Sequence, residues 1–429
     1  MAAPVKRFTS KRWYKLDNAG KLYPAVAIPG WNYSFRLAAV LKQEINVENL
    51  QTAVDHVLAR FPAMAVRMRI GFFWYYLEEN TAQLLIQQDT NQPCKPFHKS
   101  ENNGHLLRIL YGNNRISVEF FHAITDGGGG MVFLKTLLAE YLRLCGVQVP
   151  VADGILDLAE EPSPGETEDA FLHVPVPSTK LGRKESLAYH FPGEMESPLT
   201  LHVISASMPM EAVKEKAKLA GVTINEYLVS AMIYVGYQAQ LEEGKKHMHP
   251  VRVTVPINMR RFFETNTLRN FSWFVNPGID PVLGDYTFSE VLQEVHVFMQ
   301  HAMTPKHLFA GIAANVSNER NMLMRLAPLP LKDLAIIAAY RALGDRVVTT
   351  TLSNLGPVKV PEQILKNIVR FEFLLGPASI AMTDSALVTT GENMQLSFTS
   401  NQCHSIFPLR FFRFLMEQGI PITIIGGAD

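Results

Sequence analysis

The chain is short of charge, of cysteine and of long apolar runs. Only 19% of its 429 residues are Asp, Glu, Lys or Arg, and 40 basic residues meet 40 acidic ones. A formal net charge of zero lacks the basic excess that binding to nucleic acid or an anionic membrane surface usually needs, so only a local basic patch stays open. The three cysteines, Cys94, Cys145 and Cys403, are odd in number and no two have C-x-x-C spacing. Neither a disulfide framework nor a zinc site is indicated, and reduced thiols in a cytoplasmic protein are expected. Apolar runs such as LAIIAAY (334–340) fall far short of the ~20 residues of a membrane span. The N-terminus, MAAPVKRFTSKRWYKLDNAG, is basic but has no apolar stretch of signal-peptide length. No repeat stands out. There is no G-x-S-x-G nucleophile elbow, and the glycine run 127–130 lacks the GK[ST] ending of a phosphate loop.

What is present is a globular composition, 47% apolar, with material for two cores. One compositional break divides it. Residues 150–198 carry Pro162, Pro164, Pro175, Pro177 and Pro192 around the acidic stretch AEEPSPGETED. Proline removes backbone donors and fixes φ, so this segment reads as a crossover between two halves, 1–175 and 176–429. In the first half Asn46 is expected to cap a helix stopped by Pro62, followed by strands in VRMRI and FWYYLEE with a bend at Gly71. RISVEFFHA alternates as a strand, and MVFLKTLLAEYLRL reads as a helix ending near Gly146. In the second half LHVISASMP, VRVTVPINM, RVVTTTLSNLG and MQLSFTSN are expected strands. Thr223 with Glu226 forms a capping box for the helix that follows. Strands alternating with helices predict an α/β sandwich in each half. The aromatic run 72–76 reads as core and strand surface rather than a cofactor box, and His247 and His249 as a solvated loop without a third metal ligand.

The densest chemistry lies in FFHAITDGGGG, residues 120–130. A strand ends, a His follows at once, an Asp comes four residues later and glycines lead into a helix. Loops at strand ends line clefts, and an imidazole titrating near 6.5 can take and return a proton. Such a base needs orientation and one tautomer. Asp126 would supply this directly or would hold the loop by pairing with an Arg. Gly127 allows close approach, and the helix start offers free N–H groups to an anionic or polar ligand atom.

FFHAITDG resembles the HHxxxDG signature of the chloramphenicol acetyltransferase-like superfamily of acyltransferases and condensation domains. The resemblance puts the catalytic base on His122, the motif Asp on Asp126 and the Gly on Gly127, with Phe121 in place of the first His. LARFPAMAVRMR (58–69) is similar to an early segment of these folds. TVPINMRRFF (254–263) is similar to the segment whose Arg pairs with the motif Asp, here Arg260 rather than Arg261. TLSNLGPV (351–358) resembles the SNLG strand end of alcohol acetyltransferases, and WYKLDNAGKLYPA (13–25) the bacterial alcohol-acetyltransferase-like group. The resemblance implies two acyltransferase-like halves with mixed sheets and an active-site tunnel between them.

It also implies direct transfer of an acyl group from acyl-CoA, a co-substrate rather than a bound cofactor, to the hydroxyl of a small molecule or lipid. His122 acts as general base, Asp126 belongs to the catalytic motif, Gly127 and Arg260 support the site, and Ser353 or Asn354 contacts the oxyanion or substrate. No metal is expected. Transfer from an acyl carrier protein, or a non-catalytic relative, is the alternative. A chain with both halves can form the site alone, which favours a monomer.

Overall fold

The computed structural model describes residues 11–27, 33–90, 92–98, 101–175, 185–196, 200–244, 247–320, 326–377 and 383–427. The first ten residues, and positions 176–184 and 197–199 of the Pro-rich crossover, lie outside these. The first half contributes β1 (Trp13–Lys15), α1 (Leu22–Val26), β2 (Ser34–Leu41), α2 (Val47–Arg60), β3 (Val66–Ile70), β4 (Tyr75–Glu79), β5 (Gln87–Gln88), β6 (Leu107–Tyr111), β7 (Arg115–Phe121) and α3 (Gly127–Leu144). The second half runs through β8 (His202–Pro209), α4 (Met210–Leu219), α5 (Ile224–Glu242), β9 (Val251–Asn258), β10 (Ser272–Val275), β11 (Gly278–Ile279) and α6 (Phe288–Ala302). It continues through β12 (Thr350–Pro357), β13 (Ile368–Leu375), β14 (Thr383–Thr390), β15 (Asn393–Ser400) and β16 (Thr423–Gly427).

Local signals set the element ends. The Asn46 side chain accepts from the Asn49 N–H at 3.0 Å and opens α2. Thr223 and Glu226 close a reciprocal capping box on α5, which satisfies two of the orphan donors of a helix start. Gly221, at φ +72°, ends the turn after α4. The helix α3 begins four residues before the periodic pattern, at Gly127, because the Asp126 side chain caps it on the Gly129 N–H at 3.0 Å. The aromatic run departs from expectation at its start. Phe72 is 72% exposed at the turn between β3 and β4, where its carbonyl accepts from Leu329, and the strand begins only at Tyr75.

Two larger sheets carry the two cores. The five-stranded sheet runs β13-β2-β7-β6-β5, with α2 and α3 supplying Leu50, Val54, Leu134 and Leu137 to its core. The eight-stranded sheet runs β10-β9-β12-β14-β15-β8-β16 with β11 beside β9, and it covers the buried helix α5. It is mixed: β12 is parallel to β9 and β14, whereas β15 is antiparallel to β14 and β8. Strand β13 departs from two self-contained sandwiches. It follows β12 in sequence but pairs antiparallel with β2, Phe371 opposite Ala39, and so completes the first-half sheet. Ala386 and Val388 of β14 pack into the same core, so apolar burial joins the halves. Among the described residues no single helix is long and apolar enough to cross a membrane.

Candidate active site

Antiparallel pairing of β7 with β2, Phe120 opposite Phe35, brings the end of β7 beside the start of β2. His122 is the next residue, and its N–H donates to the Tyr33 carbonyl at 2.9 Å. Tyr23 of α1 stacks on the imidazole with centroids 4.5 Å apart, and Phe35 meets it edge-on at 5.1 Å. The half-buried ring lines a cavity of about 780 Å³ whose walls come from both halves. Met131, Phe373, Val255, Ile257 and Leu355 give it much of its apolar lining. Burial, the dominant influence, disfavours imidazolium and holds the His122 pKa below its ordinary 6.5, although its own backbone carbonyl, Asp126, Asn270 and Asp17 partly oppose it. The ring is therefore neutral near pH 7.

Asp126 is spent on the loop rather than on the imidazole. One oxygen accepts from Gly129 N–H; the other accepts from Phe271 N–H at 2.8 Å and from Arg260 Nη1 at 2.9 Å. Burial alone would raise its pKa, but the Arg260 charge and these donors outweigh it and hold the carboxyl below the usual range. Arg260 in turn donates to the carbonyls of Thr267 and Arg269. Thr125 Oγ1 donates to the Leu268 carbonyl at 2.6 Å. The His loop is thus fastened along its length to residues 267–271 of the other half.

The glycine run serves this contact. A Cβ on Gly129 would lie 2.1 Å from the Leu268 carbonyl oxygen and 2.3 Å from Thr125 Oγ1. At Gly127, the position singled out by the motif, it would meet Leu355 Cδ2 at 2.8 Å, the end of a movable side chain. The stricter requirement therefore lies two residues further on.

The sequence reading missed Asn270. Its Oδ1 lies 3.0 Å from His122 Nδ1, across 148 residues of chain, and its Nδ2 donates to both oxygens of Asp17. A lone Asn before an apolar strand carries no motif, so only the fold reveals the pair. Ser353 and Asn354 of β12 line the same cavity as His122. The Asn354 amide is already engaged at both ends: Oδ1 accepts from Gly356 N–H at 2.8 Å, at the bulge where Gly356 adopts φ +71°, and Nδ2 donates to the side-chain Oδ1 of Asn225 at 3.1 Å. Arg261, Lys135 and Lys359 line the cavity together with Gly127 and Gly128 at the N-terminus of α3. Among the described residues no group of three or more His, Cys, Asp or Glu could hold a metal ion.

No family model matches the chain, and no curated protein sequence matches it. Solved structures do. TRI101 of F. sporotrichioides, solved with coenzyme A and T-2, superposes with a TM-score of 0.61 at 11% identity, over 97% of this chain and 100% of that one. The TRI3 trichothecene 15-O-acetyltransferase of Fusarium sporotrichioides gives 0.59 at 10% identity, over 95% and 94%. The first condensation domain of the CDA synthetase gives 0.60 at 15% identity, over 97% and 99%. The architecture is the two-half fold of chloramphenicol acetyltransferase-like proteins, and it extends over nearly the whole chain.

Proposed function

We propose that this chain is an acyltransferase that moves an acyl group, acetyl included, from a CoA thioester to the hydroxyl of a small-molecule or lipid acceptor. The observation that carries the reading is a neutral, oriented His122 in a cavity built by both halves. With Nδ1 occupied by Asn270, Nε2 is the nitrogen left to take the acceptor proton. The freed oxygen attacks the thioester carbonyl, and the resulting imidazolium returns its proton to the leaving thiolate. No covalent acyl-enzyme is required.

The Ser353 hydroxyl is the better candidate for the developing oxyanion, because the Asn354 amide is committed to Asn225 and Gly356. One such donor is worth ~2.7–4 kcal/mol. Lys359, Arg261 and the start of α3 would meet the anionic part of the thioester, a local basic site in a chain of zero net charge. The acetyltransferase and coenzyme A complex among the solved structures support acyl-CoA as donor. We take 1–175 and 176–429 as the two halves, with β13 returned to the first. We place the protein in the cytoplasm, in keeping with its three widely spaced cysteines, an odd number with no C-x-x-C pair.

The test is release of free CoA from acetyl-CoA with a panel of alcohols, for the native chain and for His122→Ala. Loss of about 10²–10⁴-fold is expected, the usual contribution of a positioned general base. Equal rates would sink the reading. The same assay with an acyl carrier protein thioester separates the two donor classes, since transfer from that donor alone would replace CoA by the carrier.

A further inference from the structure

We propose that Asp17 and Asn270 form a positioning relay that fixes His122 as its Nδ1–H tautomer, leaving the Nε2 lone pair to face the cavity. The inference rests on the general-base reading of His122 and extends the machinery to two residues outside its motif.

The argument runs outward from the carboxylate. Asp17 follows β1 and is fully buried, at 0% exposure. Donors converge on it: Gly20 N–H at 2.6 Å, the Asn270 Nδ2 at 3.2 and 3.3 Å, and the Arg269 guanidinium at 3.4 Å. Arg269 is itself anchored, donating to the Lys15 carbonyl at 2.6 Å. Burial raises the Asp17 pKa above its ordinary 3.8, and the Arg269 charge, the Gly20 N–H and the Asn270 amide oppose it. Each oxygen faces a group that can only donate, Gly20 N–H on Oδ1 and the Arg269 guanidinium on Oδ2, so the carboxyl group accepts on both sides, as an ionised carboxylate does. The edge of the Asn270 amide that faces Asp17 must therefore be its NH₂. The opposite edge is then the carbonyl oxygen, and it faces His122 Nδ1 at 3.0 Å. A carbonyl oxygen also only accepts, so Nδ1 carries the proton. In a neutral imidazole the other nitrogen is then unprotonated. Each choice of donor and acceptor follows from the one before, and the chain of choices starts at the fixed donors, Gly20 N–H and Arg269, that face Asp17.

The ring plane is held separately, by Tyr23 stacked on one face and Phe35 at an edge. The amide between the two titrating groups has a purpose. A carboxylate in its place would sit against Asp17, where like charges repel. It would also stabilise imidazolium too strongly for a base that must give its proton back. An amide dipole orients the ring without adding a full charge. Asn270 is at 0% exposure, so water does not compete for either contact.

The decisive measurement is the ring ¹⁵N chemical shifts of His122 in the full-length chain labelled at histidine, with the resonance assigned by its loss in His122→Ala. The native protein is expected to show a single Nδ1–H tautomer. Asn270→Ala is expected to give a tautomer mixture and a kcat for acyl transfer lowered about tenfold or more, within the ~10²–10⁴ that a base contributes, with KM for the thioester little changed. A folded Asn270→Ala protein with the same single tautomer and the same titration would overturn the relay, because the backbone carbonyl of His122 would then suffice. The near-isosteric Asn270→Asp is the second variant, in case the cavity of Asn270→Ala unfolds the chain. It is expected to raise the His122 titration midpoint by a unit or more, about tenfold in proton affinity, and an unchanged midpoint would refute the contact. A native chain that shows the Nδ1–H tautomer yet transfers no acyl group would defeat the acyltransferase reading while upholding the relay.

Discussion

Replacing Asp126 by Ala removes more than an ion pair, and the structure gives the expected size. Its side chain is 6% exposed and that of Arg260 is 18% exposed. Breaking a buried pair from one side typically costs ~3–5 kcal/mol, because the remaining charge is left uncompensated. Asp126→Ala also removes the cap of α3 on Gly129, about 1 kcal/mol, and strands the buried Phe271 N–H, about 1–3 kcal/mol. Arg260 would keep its bonds to the Thr267 and Arg269 carbonyls, so these losses overlap and ~3–5 kcal/mol is the expected total. Arg260→Ala should cost less, about 1–3 kcal/mol, because the carboxylate retains two backbone donors. The double variant should be milder than the sum, with a coupling of ~0.5–3 kcal/mol. Urea unfolding followed by circular dichroism and tryptophan fluorescence measures all three, and disagreement between the two signals would show the halves separating. The pH dependence has a definite sign. The folded pKa of Asp126 lies below its ordinary 3.8, so its contribution is present above that value and lost as pH falls through the folded one. In Arg260→Ala the folded value rises and this acid-side loss shrinks. A cost for Asp126→Ala within about 0.5 kcal/mol of zero, the level of a surface substitution, would refute the fastening argument.

Three further outcomes follow from the same contacts. Gly129→Ala places a methyl against the Leu268 carbonyl oxygen and Thr125 Oγ1, and should destabilise by ~1–3 kcal/mol or more through overpacking, whereas a neutral melting temperature would contradict the close approach. The acid limb of kcat/KM for acyl transfer should have its midpoint below 6.5, since burial depresses the His122 pKa, with activity rising as pH rises through that limb and level by pH 7–8; a midpoint above 6.5 would remove burial as the dominant influence. Thr223→Ala breaks the capping box in which Thr223 Oγ1 accepts from Glu226 N–H at 3.2 Å and Glu226 accepts from Thr223 N–H at 2.7 Å, and should lower stability by ~0.5–2 kcal/mol in denaturant titration.

Features with local determinants could be read from the chain. The caps at Asn46 and Thr223 form within three residues of their partners, and β7 announces itself by alternation. Strand β2 was harder, because all eight of its residues are buried and such a strand does not alternate. It also carries Arg36, a charge no core pattern predicts, which is neutralised by Glu119 and Asp89 at 2.6 and 2.8 Å. The destination of β13 was not legible at all. Its apolar residues mark a strand, but its partner β2 lies in the other half of the chain, and no local pattern selects that sheet edge over the other.

The site divides along the same line. His122, Asp126 and Gly127 lie within six consecutive residues, and their order alone suggests a base on a glycine-led helix start. Arg260 could be named because a resembling segment surrounds it. Asn270 and Asp17 could not, since the relay joins three segments far apart in sequence: the turn after β1, the end of β7 and the approach to β10. Its members are ordinary in isolation, an acidic turn residue and an amide before an aromatic. What makes them functional is that residues 267–271 are held against the His loop by Asp126, Thr125 and Arg260. The motif aspartate thus acts at one remove. It touches neither imidazole nitrogen by hydrogen bond, yet it holds in place the segment whose amide does. If so, Asp126→Asn should disturb the His122 tautomer through Asn270, and it should do so less in a chain already carrying Asn270→Ala, because the path it acts through has been cut. Equal disturbance of the His122 ring shifts in both backgrounds would mean that Asp126 acts on the imidazole directly.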